Sequence, residues 1–300
     1  MKTMVPLSPS YRIDGLITAG ADAFYLGYIS DEWLDLFGNS LFINRRGRNV
    51  NANFNDKTII SAINECHFYN IPAFVTFNSH QYSKKELEVV FHAIMFLHDL
   101  SIDGIIASDI QVLQFCKRLG LKTILSTCAT NYNHYSCIFY MKYGVRHIIF
   151  PRDISIKEMA AIIELIPDVE WEAFIYNSAC RFSESVCLSN HGLYGNICKR
   201  YKNLPQVSID NGQSNASNDI YSNKPIGACG LCDIYQMNKL GITWLKIVER
   251  SLPYEAIVDS CTKVKNAVLL CAQCNSEEDF RHRIQETEKC NGIGASCYYK

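Results

Sequence analysis

The chain has 300 residues, of which 48% are apolar, enough for one large α/β domain or two small ones. Its 29 basic and 30 acidic residues give a formal net charge of −1, so no global charge directs it to nucleic acid or to an anionic membrane. Residues 1–7 are too few and too weakly apolar for a signal sequence, and no run of about 18 apolar residues could span a membrane. We expect a cytoplasmic protein without a membrane partner. Its 14 cysteines are then metal ligands, redox groups or buried apolar residues rather than disulfides.

Short apolar runs rich in Val, Ile and Phe alternate with amphipathic stretches along the chain. This alternation is typical of repeated βα units with parallel strands. Eight units in about 250 residues favour a closed (β/α)8 TIM-barrel-like α/β fold, with an open doubly wound sheet as the alternative. The predicted strands cover residues 4–7, 23–26, 73–77, 104–107, 123–126, 147–150, 169–176 and 243–247.

Helix boundaries are also readable. Apolar residues recur every three or four positions over 85–100, which predicts a helix with Ser83 as its N-cap. Ser155 and Glu158 form a capping-box pattern ahead of a second apolar stretch. Three glycines stand just before strands, where a helix C-cap needs positive φ: Gly120, Gly144 and Gly241.

The predicted domains are a barrel over residues 1–252, with a Cys-rich loop at 177–232, and a helical, Cys-rich extension over 253–300. Residues 206–224 are rich in Ser, Asn and Asp and too polar to pack. We expect this segment to be a mobile insertion or a surface loop.

Four cysteines are predicted to meet at one rim of the barrel. Cys180, Cys187 and Cys198 follow the seventh strand, and Cys232 precedes the eighth. The active site of such a barrel lies at the C-terminal ends of the strands, and thiolates are the soft ligands of iron–sulfur centres. The spacings lack the usual tight pair, so buried core thiols are the alternative for Cys180 and Cys187. Cys229 could replace Cys232 as the fourth ligand.

Several segments together carry a resemblance. Residues 19–27, the Arg/Asn-rich loop 44–54, residues 126–131, the Glu172 to Cys187 stretch and residues 231–247 resemble, in order, motifs of the collagenase-like peptidase family U32. Two departures are visible. The family's Lys-Ile-Glu-Gly-Arg reads here Lys-Ile-Val-Glu-Arg, so the acidic residue is displaced by one position, and Cys stands where the family has Gln after Ser-Thr.

The resemblance implies a barrel with a 4Fe–4S cluster held by Cys180, Cys187, Cys198 and Cys232. Members of the family include proteases and iron–sulfur proteins of oxygen-independent hydroxylation of ubiquinone precursors and of tRNA or rRNA bases. It therefore implies hydroxylation, or a related redox modification, of a small aromatic or RNA nucleobase substrate. A collagenase-like peptidase is the alternative. A non-catalytic, cluster-bearing subunit of a heterodimer with a related protein is the third hypothesis.

Three charged residues are candidate catalytic groups. Glu172 lies on a predicted strand and could be a general base, a substrate anchor or an ion-pair partner. Lys246 and Arg250, at the end of the eighth strand, could bind a carboxylate or phosphate, or pair with Glu172 or Glu249. A basic loop could line the mouth or be a solvated face: Arg45, Arg46 and Arg48.

A proteolytic mechanism is hard to assign to these residues, because the chain has no H-E-x-x-H and no G-x-S-x-G motif. His191 is the nearest candidate base to the cysteines. The distal cysteines have the ligand count of a second metal site, with unpaired thiols as the alternative: Cys271, Cys274, Cys290 and Cys297.

Overall fold

The structure is a computed structural model that describes residues 1–38, 42–47, 50–177, 183–187, 206–210, 213–217, 229–290 and 297–299. Its strands are β1 (Lys2–Leu7), β2 (Ala23–Gly27), β3 (Ala73–Phe77), β4 (Gly104–Ala107), β5 (Thr123–Leu125), β6 (His147–Ile149), β7 (Glu170–Tyr176), β8 (Gln206–Asp210), β9 (Gln213–Ser217) and β10 (Trp244–Ile247). Its helices are α1 (Ile13–Ala19), α2 (Asp31–Phe37), α3 (Asp56–Phe68), α4 (Lys84–Asp99), α5 (Ile110–Leu119), α6 (His134–Met141), α7 (Ile156–Leu165), α8 (Ile234–Lys239), α9 (Tyr254–Cys271) and α10 (Glu277–Glu288).

Eight parallel strands close into a barrel in the order β1-β10-β7-β6-β5-β4-β3-β2. Closure occurs where β1 pairs on one side with β10, Lys2 opposite Trp244, and on the other with β2, Met4 opposite Ala23. The predicted TIM-barrel-like fold is confirmed, and each predicted strand overlaps an observed one. The C-terminal ends of all eight strands therefore lie on one rim.

The core has two layers because both faces of each strand are buried. On β4, Ile106 packs inside the barrel, while its neighbour Ile105 packs outward against the helices. Successive side chains of a strand point to opposite faces, so a strand covered on both sides reads as a continuous apolar run. This is why the strands were visible as short apolar segments rather than as alternating patterns.

The predicted caps are present. The Ser83 hydroxyl accepts a hydrogen bond from the Glu86 amide, and Ser155 does the same for Glu158, each within a reciprocal capping box. A cap of this kind contributes about 1 kcal/mol. The three glycines have positive φ, 72° at Gly120, 91° at Gly144 and 81° at Gly241.

The polar segment after residue 205 contains two strands that were not predicted. β8 and β9 form a two-stranded antiparallel sheet, with Gln206 opposite Ser217 and Asp210 opposite Gln213. The dipeptide Asn211-Gly212 separates these strands in the sequence and is a typical hairpin signal. The segment had been interpreted from its polar composition alone, without this turn signal.

The predicted domain division after residue 252 falls in the connection between β10 and α9. α9 contacts α1, β1, β7 and β10, so it takes the place of the helix that follows the last barrel strand. α10 then packs against α8 and α9. In the part of the chain that the structure describes, no helix is both long and apolar enough to cross a membrane.

Candidate functional site

A pocket of about 100 Å³ opens at the rim formed by the C-terminal ends of the strands. Its floor includes the apolar side chains of Ile106, Ile149 and Val248. Its charged lining residues are Arg45, Arg46, Arg152, Glu184, Lys246, Glu249 and Arg250. Five basic residues thus face two acidic ones, which makes the described pocket cationic.

Glu172 lies on β7 inside the barrel and is fully buried. Lys246 donates a hydrogen bond to its Oε1 over 2.7 Å, and His147 Nε2 lies 2.7 Å from its Oε2. Burial raises the pKa of Glu172, but Lys246 and His147 outweigh that effect and lower it to about 2. The carboxylate is therefore ionised, and it holds Lys246 in position rather than lining the described pocket itself.

His147 was not recognised as a site residue from the sequence. It lies on β6, is fully buried and stacks on Trp244 with ring centroids 5.6 Å apart. Its position on β6 opposite Glu170 and Ile124 brings its ring next to the Glu172 carboxylate. A histidine in a strand that faces the barrel interior could have suggested a partner for a strand glutamate, but no local motif marks it.

Arg250 is 4% exposed, yet its guanidinium keeps two hydrogen-bond partners. It donates to Thr76 Oγ1 over 3.2 Å and to Asn44 Oδ1 over 3.2 Å. Burial lowers its pKa to about 10, so it remains a cation near neutral pH. A Cβ at Gly27 would come within 1.8 Å of Arg250 Nη1, which explains a glycine at the end of β2.

Lys246 and Arg250 both line the pocket, and Lys246 makes the ion pair with Glu172 that was the alternative to anion binding. Both lie close to the Tyr25 ring, whose centroid is 4.2 Å from Lys246 Nζ and 6.0 Å from the Arg250 guanidinium carbon. Burial lowers the pKa of Lys246, and the Glu172 carboxylate opposes that change. The pair is a preorganised cationic wall.

The pocket lining also includes arginines from two loops. The Arg152 guanidinium lies over the Phe174 ring at 4.2 Å, with its Nε 3.4 Å from Glu184 Oε2. Arg45 Nη1 donates a hydrogen bond to the carbonyl of Cys187 over 3.3 Å. The turn that carries Cys187 therefore adjoins the pocket. Arg45 and Arg46 of the predicted basic loop line the pocket, whereas Arg48 lies outside the described residues.

Two of the four predicted cluster ligands, Cys180 and Cys198, lie outside the described residues. Cys187 follows the 3-10 turn Glu184–Val186, and Cys232 lies in the 3-10 turn Leu231–Asp233. Within the described ranges, no group of three or more His, Cys, Asp or Glu side chains could hold a metal ion. Thiolate chemistry suits an iron–sulfur cluster, and the ligand set stays a prediction.

Cys229 lies beside Cys297, which the sequence analysis had grouped with the other distal cysteines. The main chain of Cys229 forms bridges to Tyr176 and to Cys297. Burial raises the pKa of the Cys229 thiol to about 12 and that of Cys232 to about 11, and the neighbouring Cys290 thiol adds to both effects.

Cys271 and Cys274 are instead buried in the core, 6% and 8% exposed. The 12 residues of α10 separate them from Cys290, a length of roughly 18 Å. The four distal cysteines therefore do not form the single second metal site considered above.

A closed (β/α)8 barrel with a cationic pocket at the C-terminal ends of its strands has the arrangement in which enzymes of this fold place their active sites. The chain belongs to peptidase family U32, whose family model matches residues 11–299. The resemblance seen in the sequence is thereby confirmed.

The proteins that are similar to this chain carry several different names. An uncharacterized protease of Methanocaldococcus jannaschii is 27% identical over 65% of this chain and 46% of its own length. A collagenase of Porphyromonas gingivalis is 22% identical over 92% of this chain and 67% of its own. The tRNA hydroxylation protein P2 of Bacillus subtilis is 22% identical over 92% of this chain and 90% of its own. The chain thus spans about half the length of the first relative and nearly all of the third.

The solved structure of a U32 peptidase is similar in fold, with a TM-score of 0.50, 10% sequence identity and coverage of 84% of this chain and 94% of that one. At this identity the similarity concerns the fold alone. It agrees with the closed barrel described above.

Proposed function

We propose that the protein is an iron–sulfur enzyme that performs oxygen-independent hydroxylation, or a related redox modification, of a small aromatic or RNA nucleobase substrate. The observation that carries the proposal is a cationic pocket at the barrel rim that adjoins the turn of a predicted cluster ligand, Cys187. Family membership and the relatives named tRNA hydroxylation proteins support it.

In this proposal the chain's own residues bind and orient the substrate. Lys246 and Arg250 hold a carboxylate or phosphate of the substrate, and Glu172 with His147 fixes Lys246 from below. The apolar floor, Ile106 and Ile149, accommodates a planar ring. A cluster held by Cys180, Cys187, Cys198 and Cys232 would pass on the electrons that the substrate loses, or offer it an open iron site.

A collagenase-like peptidase is the second candidate, supported by the relative named collagenase. A cysteine peptidase needs a thiolate paired with a base. Cys128 is the thiol among the described pocket residues, and burial raises its pKa to about 12, which opposes that role. The described pocket residues therefore offer the peptidase candidate no activated cysteine.

Anaerobic purification followed by iron analysis and visible absorption tests the cluster. We expect iron and a broad visible band in the unaltered protein, and loss of both in Cys187→Ala and Cys232→Ala. The matched controls are Cys116→Ala and Cys261→Ala, because both thiols are fully buried in the helix-facing core. Iron that is absent from the unaltered protein, or retained by all four variants, would contradict the proposed ligands.

Mass spectrometry of tRNA and rRNA nucleosides from cells with and without the protein tests the reaction. We expect one hydroxylated nucleoside to disappear if the substrate is RNA, and a small aromatic metabolite to accumulate if it is not. Cleavage of denatured collagen by iron-free protein would support the peptidase instead. If the modification needs a related subunit that co-purifies, and Arg250→Ala in this chain has no effect on it, this chain is the supporting subunit.

A further inference from the structure

Glu249 stands out because a glutamate occupies a backbone conformation that favours glycine. Its φ is +87°, in the left-handed region, directly before Arg250. Among the described non-glycine residues with positive φ, it is the one that lines the pocket. The others are Asn70, Ser101, Asn177 and Lys289, of which three follow the ends of helices, where such a conformation is ordinary.

The conformation of this turn does not depend on the glutamate side chain. The Tyr25 hydroxyl contacts the Glu249 main chain, and the Leu252 amide donates to the Glu249 carbonyl over 3.3 Å. The Ser8 hydroxyl donates to the next carbonyl, that of Arg250. Because surrounding groups fix the turn, a glycine could adopt it without strain. The carboxylate therefore has to be explained by something other than folding.

The ion pair that Glu249 makes does not provide that explanation. Its Oε1 lies 3.8 Å from Arg46 Nη2, and the two side chains are 22% and 26% exposed. A pair of this length at partial exposure contributes little. A carboxylate in a pocket lined by five basic residues would also weaken the binding of a simple anion.

A carboxylate accepts hydrogen bonds and donates none, so it favours a ligand group that donates. We propose that Glu249 is a specificity-determining residue that accepts a hydrogen bond from an O–H or N–H group of the substrate. Lys246 and Arg250 hold the anionic group of the same molecule. The site would then select anions whose ring carries a hydrogen-bond donor and disfavour anions without one. This inference rests on the proposed function only in taking the pocket as the substrate site.

Calorimetric titration of the full chain, purified without oxygen, with simple aromatic acids tests the inference. The probes are benzoate, 3- and 4-hydroxybenzoate and their methoxy counterparts, which keep the ring and the carboxylate but lose the donor. We expect a hydroxybenzoate to bind about tenfold more tightly than its methoxy counterpart. Glu249→Gly should abolish this preference, and Glu249→Gln, which keeps a neutral acceptor, should reduce it.

The variants also separate a functional role from a structural one. Glu249→Gly should bind benzoate as well as the unaltered protein or better, and its melting temperature should not fall. Glu255→Gln is the matched control, because Glu255 is exposed and outside the pocket lining, and it should change neither property.

If benzoate binds but the hydroxybenzoates bind no more tightly than their methoxy counterparts, the proposed role of Glu249 is wrong and the anion pocket stands. The same holds if the preference survives in Glu249→Gly. A marked drop in the melting temperature of Glu249→Gly would assign the residue to folding. Failure of every probe to bind would overturn the anion pocket and this inference with it. Iron content, measured separately, reports on the cluster and is independent of these outcomes.

Discussion

Glu172 couples the stability of the barrel to the shape of the pocket, because its two oxygens face Lys246 and His147 inside the apolar core. Breaking one partner of a buried charge group leaves the others without compensation. The same carboxylate keeps the Lys246 ammonium near the pocket. One substitution should therefore affect both folding and binding.

Glu172→Gln should lower the free energy of unfolding by about 3 kcal/mol at neutral pH. The pKa of Glu172 is lowered from its ordinary 4.5 to about 2 in the folded protein. Its contribution is therefore complete above about pH 4.5 and is lost as pH falls toward 2. Urea unfolding of both proteins at several pH values measures this. A difference between them that stays constant from pH 7 to pH 2.5 would contradict the coupling.

Gly27→Ala should displace Arg250, because the added methyl group would come within 1.8 Å of Nη1 and 2.6 Å of the Ala52 carbonyl. We expect at least a tenfold loss of benzoate affinity, corresponding to about 1.4 kcal/mol. Gly241→Ala is the control, since its φ is +81° but nothing lies within 4 Å of the new Cβ. That variant should lose stability without losing affinity. Equal affinities for the two variants would argue against steric displacement of Arg250.

At the residue scale, the sequence identified the groups whose position follows from strand ends. Lys246 lies near the end of the last barrel strand, β10, and Arg250 follows that strand, and the structure places both in the pocket. The sequence did not identify His147 or Arg152, because their roles arise from contacts with β7 that no local pattern encodes. The displacement of the acidic residue by one position was visible in the sequence. Its structural consequence, a positive φ at Glu249 and Val248 in the pocket floor, was visible only in the structure.

At the element scale, an irregularity in β7 shapes the site. Lys246 pairs with Phe174 and the next residue, Ile247, pairs with Tyr176, so Ile175 is an extra residue in the ladder. The Ile175 carbonyl instead accepts a hydrogen bond from the Gly230 amide over 2.8 Å. Such a bulge bends a strand and redirects its side chains. Phe174, at the bulge, lines the pocket.

Residues 297–299 support this bulge. The Tyr299 hydroxyl donates to the Phe174 carbonyl over 2.8 Å, and Tyr298 stacks against the Phe174 ring. Tyr299→Phe would leave that buried carbonyl unsatisfied and should cost about 1–3 kcal/mol. Thermal unfolding measures the loss. Tyr135→Phe is the control because Tyr135 is 75% exposed, and an equal loss in both would rule out the specific support.

The sequence predicted the regular elements because their signals are local. Helix α4 begins at Lys84 after its predicted N-cap, Ser83, and the strands were visible as short apolar runs. The bulge at Ile175 and the hydrogen bond from Tyr299 to the neighbouring Phe174 carbonyl involve positions 125 residues apart. Neither periodicity nor turn chemistry reports such a contact, so it had to come from the structure.

At the scale of the whole molecule, the barrel has an extensive apolar core, against which one predicted cluster ligand, Cys232, packs. Within the described residues, buried side chains form an inner layer, which includes Met4, Phe74 and Ile124, and an outer layer against the helices. Small metal-dependent domains unfold without their metal because they lack such a core. Here apolar burial over eight strands supplies the driving force for folding.

Protein produced under iron limitation should therefore keep its secondary structure and unfold cooperatively. Its melting temperature should lie below that of the iron-loaded protein, because a cluster bound only by the folded chain adds to its stability. Circular dichroism with thermal scans measures both properties, and iron content is determined on the same samples. Loss of the cooperative transition without iron would mean that the predicted cluster holds the barrel together, and the cysteines would then act in folding as well as in chemistry.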